Sequence, residues 1–196
     1  MNLRSLKKLK NPKQIQDFLN SLPFNFEKRG ETYRGVVRTL ESGVAHCFEG
    51  ALVAAFALKQ IGYKPLILDL RASNKDIDHV VAIYKKDGCW GAISKTNHAV
   101  LRYREPIYKS VRELAMSYFH EYFLSNGQKT LRSFSKPFDL DKSKIDWVES
   151  NEQLFELMEK LDNSPHTDIL TKKQLINLRK ADKIEIKTGE IVEYKN

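Results

Sequence analysis

The chain has 196 residues, 41% of them apolar and 10% aromatic, with a formal net charge of +8. That length and apolar share suit one folded domain with appendages and exclude a disordered chain; no apolar run approaches the roughly 20 residues that a membrane span needs. The positive excess gathers in Lys7 to Lys13 and in the last 25 or so residues, without interleaved aromatics, so it reads as solvated surface charge rather than a nucleic-acid footprint. Two cysteines, Cys47 and Cys89, are too few for a disulfide framework, and the Met1 to Lys8 start lacks the apolar core of a secretory signal. A cytoplasmic location is expected, with no membrane partner.

In chain order, Pro12, Ile15, Phe18, Leu19 and Leu22 recur at helical spacing behind Asn11, a cap, with proline at the first helical position, which predicts a surface helix over 11–22. Glu31 to Thr39 should then deliver the chain, extended or as a short helix, to the stretch Glu41 to His46, where Ser42 can cap and Gly43 can break. Ala51 to Leu58 is apolar on every side of a helical wheel, the pattern of a helix sunk in a domain interior. Gly62 and Pro65 end it. Cys47 falls in or beside its first turn, where orphan N–H groups and the positive end of the helix dipole favour thiolate.

Pro65 to Leu70, His79 to Tyr84 and Cys89 to Ser94 have strand character, and Asp87-Gly88 between the last two is a strong hairpin signal. A two-residue turn there pairs Lys86 with Cys89, sets Val81 opposite Ser94, and puts Ser94 on the same face as His79; a three-residue turn would point it away. Val100 to Pro106 reads as a short extended run, and Ser110 as the cap of a helix through Phe123, with Glu113 closing a capping box and a broad apolar stripe that includes Tyr118, Phe119 and Tyr122. Lys129 to Trp147 is expected to be irregular and to wrap the body. A further helix is predicted over 151–161, and Asp162 to Pro165 is the clearest boundary. Beyond it come a predicted helix, Thr171 to Lys180, and a hairpin, Ile184 to Ile186 turning at Thr188-Gly189 into Ile191 to Tyr194.

The run Ser42-Gly43-Val44-Ala45-His46-Cys47-Phe48-Glu49-Gly50-Ala51, the helix end Gly62 to Pro65, Asp78 to Tyr84 and Gly88-Cys89-Trp90 resemble the transglutaminase-like branch of the papain-like cysteine enzymes. The resemblance covers roughly residues 35 to 125. It implies a thiol nucleophile at a helix start, a histidine opening the next core strand, an acid on the strand after it, no metal, and acyl transfer on amides or esters. The chain departs at the third position: counted from Trp90, the aspartate slot holds Ser94, which can orient an imidazole but cannot stabilise its cation as an aspartate would. Asn97 is the rival, since an amide oxygen can accept the ring N–H. Asp78 should face the other way, and Asp69 could reach the site from the preceding strand.

The expected protein is therefore an α+β fold, a papain-like or transglutaminase-like core with the Cys47-headed helix packed on an antiparallel sheet, peripheral helices and a C-terminal β-hairpin appendage. Residues 1–163 form the domain with its N-terminal surface helix; 164–196 form an appendage too small to stand alone. The expected catalytic set is Cys47 as nucleophile, His79 as base, and Ser94 or Asn97 holding the ring, acting on a peptide, a protein or a small amide or ester, with hydrolysis favoured over transamidation. No cofactor and no metal are expected, because His46, Cys47, His79, Cys89 and His98 lack paired zinc-ligand spacing. His46 is read as a cap, Cys89 as inert and Glu49 as structural or substrate-orienting; Arg38, Thr39, Ser42 and the Cys47 N–H are the candidate oxyanion donors. The alternative is a catalytically silent module that binds a peptide in the same groove.

Overall fold

In a computed structural model, which describes residues 1–195, the chain forms helices α1 (Leu3–Leu6), α2 (Pro12–Asn20), α3 (Val36–Ser42) and α4 (Cys47–Gln60) before any strand. Then follow β1 (Leu66–Ala72), β2 (His79–Lys86), β3 (Cys89–Ile93), β4 (Arg104–Tyr108), α5 (Val111–Met116), β5 (Leu131–Ser135), β6 (Phe138–Asp139), α6 (Phe155–Asp162), β7 (His166–Asp168), α7 (Lys172–Ile176) and α8 (Lys183–Gly189). The seven strands make one antiparallel sheet in the order β4-β3-β2-β1-β5-β7, with β6 beside β1.

The apolar run predicted for the interior helix is α4, and its side chains are buried almost all round. It lies on one face of the sheet with Ile67, Val80, Ala82, Tyr84 and Ile93, and α2, α3 and α6 cover its outer side. The opposite face carries Leu68, Leu70, Val81, Ile83 and Ala92 against Leu114, Ala115, Tyr118, Phe119 and Tyr122. With both faces covered, β1 and β2 read as continuous apolar runs rather than alternating ones. The two-residue turn is present, Asp87 and Gly88 both having positive φ (50° and 82°), and Lys86 pairs with Cys89.

Glycine is required at one place that positions the site. A Cβ on Gly50, in the first turn of α4, would lie 2.4 Å from Lys95 Cβ and 3.0 Å from its Cγ, so only a bare backbone lets the Cys47 end of the helix close on the chain leaving β3. Lys95 cannot step aside: it is buried, and its Nζ donates to the Leu22 carbonyl. Gly50→Ala should gain helix propensity of about 1 kcal/mol and lose more to overpacking, about 1–3 kcal/mol. The expected outcome is a melting temperature lowered by roughly 2–8 °C, read by circular dichroism.

Several expectations fail locally. The C-terminal hairpin is absent among the described residues: 183–189 are helical, with Asp182 and Glu185 forming a capping box at the start. Ile191 to Glu193 run instead along the loop after β3, with Ala99 N–H donating to Ile191 O at 2.9 Å and Glu193 N–H to Asn97 O at 2.8 Å. The segment 129–147 is partly ordered as β5 and β6, and the stretch after 163 supplies β7 to the sheet. The helix predicted through Phe123 stops at Met116 and resumes as a 3-10 turn at Phe119–Glu121. Ser42 ends α3 rather than capping α4; Gly43 (φ 69°) breaks between them, and His46 is the cap.

Candidate active site

Cys47 is the first residue of α4 and His79 the first of β2, and packing of that helix on that strand brings both side chains to the wall of one cleft. His79 Nε2 lies 2.8 Å from Ser94 Oγ. The Ser94 hydroxyl has one proton, and it donates it to the Leu101 carbonyl at 2.6 Å. Toward the imidazole it can therefore only accept, so Nε2 carries the ring proton and Nδ1 is the nitrogen left for the sulfur. Ser94 is itself clamped by Gln16 of α2, whose amide oxygen accepts from Ser94 N–H (2.9 Å) and whose amide nitrogen donates to Ser94 O (2.8 Å). Gln16 was invisible to sequence reasoning, because helical periodicity marks apolar positions and gives no weight to a buried amide.

Asn97 does not hold the ring. Its amide donates to Tyr194 O and accepts from Tyr194 N–H, both at 2.9 Å, so both functional atoms are spent on the C-terminal segment. Asp78 accepts from Ala72 N–H at 2.7 Å and Asp69 faces His166 at 3.0 Å; the described contacts of neither carboxylate include His79. Of the oxyanion donors considered, Arg38 donates to Asn151 O, Thr39 to Arg34 O and Ser42 to Thr39 O. The N–H of Cys47, at the first position of a helix and without an intrahelical acceptor, remains.

A second imidazole, His46, lines a hollow together with the thiol. Its Nε2 is 2.6 Å from Thr32 O, and it lies 3.6 Å from Glu49 and 3.7 Å from Glu27. Burial pushes the Cys47 thiol up, but the hydrogen bonds from His46 and His79 and the charge on both rings outweigh it and bring it down to about 5. Burial pulls His46 down, yet its bond to Cys47, the negative sulfur and Glu49 raise it to about 9. Glu49 is wholly buried and gathers Arg34 (2.6 and 2.9 Å), Thr32 (2.9 Å), Asn25 (3.2 Å) and the His46 N–H (3.2 Å). Burial pushes this carboxyl up and the Arg34 hydrogen bond leads the contacts that more than reverse it, so it stays ionised.

The sulfur is only partly covered. It borders a cleft of about 420 Å³ walled by Leu101, Tyr122, Phe123 and, from the C-terminal segment, Ile186, Gly189 and Glu190. It also borders a second hollow of about 620 Å³ that continues past His46, Tyr33 and Asp162. Cys89 stands apart, half exposed at the hairpin exit. No helix among the described residues is long and apolar enough to cross a membrane. A scan against protein-family models finds no match, and no curated protein matches the chain.

Proposed function

We propose that the protein is a cysteine-dependent acyl-transfer enzyme acting on an amide or ester of a peptide or protein, related to the transglutaminase-like branch of the papain-like enzymes. The observation that carries this is one geometry: a thiol at a helix N-terminus, sharing a cleft wall with an imidazole whose Nε2 is committed to Ser94. Cys47 attacks the carbonyl, His79 Nδ1 carries the proton to the leaving group, and the Cys47 N–H faces the developing oxyanion. Water resolves the acyl-enzyme, being in large excess over any amine. The two hollows flanking the sulfur suit an extended substrate.

Ser94 in place of a carboxylate favours a second reading, a groove that binds peptides without turnover. The two part on the pH dependence of thiol labelling. In a Cys89→Ser background, the rate of iodoacetamide alkylation followed by mass spectrometry from about pH 4 to about pH 10 should rise with a midpoint near 5 and then level off. Cys47→Ser should remove all labelling. A midpoint at the ordinary thiol value of about 8.5 would overturn the enzymatic proposal.

A further inference from the structure

In the second hollow beside Cys47, which Asp78 and Asp162 also line, one carboxylate oxygen each from Asp69, Asp78 and Asp162 lie within 4.8 Å of one another. The centre of a triangle of that side lies at most about 2.8 Å from each corner, close to a calcium–oxygen bond of roughly 2.3–2.6 Å, so a small closing movement would let a single ion touch all three. An acidic cluster alone is no site, since exposed carboxylates often gather without a ligand. Here a second observation points the same way. Asp69 is 0% exposed and its Oδ1 has no hydrogen-bond partner. The other buried side-chain oxygens without a partner among the described residues are Asp162 Oδ1, Ser73 Oγ and Ser164 Oγ, and all four sit on the two chain stretches that carry the cluster. Buried polar groups are normally satisfied, and the two orphaned carboxylate oxygens belong to members of the cluster itself, where a cation or ordered water around one would satisfy them.

The positive groups already there do not complete the site. Arg71 has side-chain nitrogens 3.9 Å from both Asp69 and Asp78, beyond hydrogen-bond range, and donates to the main-chain carbonyl of Asp162. His166 lies 3.0 Å from Asp69 Oδ2 and 2.6 Å from Ser164 O, which occupies one Asp69 oxygen and leaves the other free. Asp78 Oδ1 is taken by the Ala72 N–H, again leaving one oxygen. Three carboxylates thus each keep an oxygen for a ligand, facing one guanidinium.

From this geometry we infer that Asp69, Asp78 and Asp162 bind one hard divalent cation of the calcium or magnesium class, tying β1 and the end of α6 to the residue that precedes His79. The set is all oxygen, which excludes soft-metal chemistry and favours ions that keep several waters. The ion is structural: the cluster contains no nucleophile and none of its ligands touches Cys47 among the described contacts.

The test uses the full chain stripped with a chelating resin, then titrated separately with CaCl2, MgCl2 and MnCl2 by calorimetry and thermal unfolding. One equivalent should bind, and at about a hundredfold over the dissociation constant the melting temperature should rise by roughly 5–10 °C. Asp69→Asn and Asp162→Asn should each weaken binding at least about tenfold, while the exposed Asp146→Asn leaves it unchanged. Asp162 is half-buried, so its variant serves should Asp69→Asn fail to fold. No heat and no shift with any of the three ions at about 10 mM, or wild-type affinity in both variants, would overturn the assignment. The readout does not involve the thiol, so this inference and the proposed enzymatic activity fail separately.

Discussion

Replacing His79 by alanine is expected to lower acyl-transfer turnover by roughly 10²–10⁴-fold while leaving Cys47 only partly deactivated toward a simple alkylating agent. On the proposed acyl-transfer reading the two losses differ because the ring would do two jobs. As the group that takes and returns the proton it has no substitute: His46 Nε2 is held by the Thr32 carbonyl, and its environment keeps it a cation up to about pH 9, so it cannot accept a proton at neutral pH. As a partner of the thiolate, however, His79 shares the task with His46. In His79→Ala the midpoint of alkylation should therefore move up from about 5 but stay below the value of a free thiol. Stopped-flow alkylation and steady-state ester hydrolysis on the same preparation check both halves. Equal losses in the two assays would mean that the imidazole acts on the sulfur alone and that no acid–base step depends on it.

Glu49→Gln should be the most destabilising single exchange in the site region, at about 3 kcal/mol, corresponding to a melting temperature lowered by roughly 6–12 °C at neutral pH. The side chain is entirely buried, and the exchange leaves the Arg34 guanidinium, itself 13% exposed, without its counter-charge. Because the folded carboxyl titrates below its ordinary value of 4.5, its contribution is fully present above that value and is lost as pH falls through the lower, folded one. The wild type and the variant should accordingly differ most at neutral pH and converge in strong acid, a comparison made by thermal unfolding across pH. The exchange also removes a negative charge 3.6 Å from His46, so the Cys47 midpoint should rise in those molecules that remain folded.

The central elements were legible because they are written in strong local signals. Ala51 to Leu58 can only be an interior helix, and Asp87-Gly88 fixes a register that carries straight through to the contact between Ser94 and His79. What could not be read was set by long-range partners. Asn97 and Ser94 were equal contenders on chemistry, and what separates them is a hydrogen bond from Asn97 to Tyr194, 97 residues away. His46 was taken for a cap, which it is, but its position between Thr32 and Glu49 is what turns it toward the thiol. The hairpin expected near the end failed for a related reason. Alternating Ile184 and Ile186 are a strand signal only where a sheet edge is there to receive them, and capping at Asp182 offered a helix instead.

The attachment of residues 191–194 to the loop after β3 has a bearing on how such a protein can change. Both amide atoms of Asn97 hold Tyr194, and Arg102 meets Glu193 at 3.2 Å, so the segment that follows Ile186, Gly189 and Glu190 is moored to the same loop whose Leu101 carbonyl holds the Ser94 hydroxyl. On the acyl-transfer reading, admission and reactivity would then be coupled through one short loop. Exchanges in the final turn of α8 that shift this mooring would be felt at the ring that Ser94 holds as well as at the doorway.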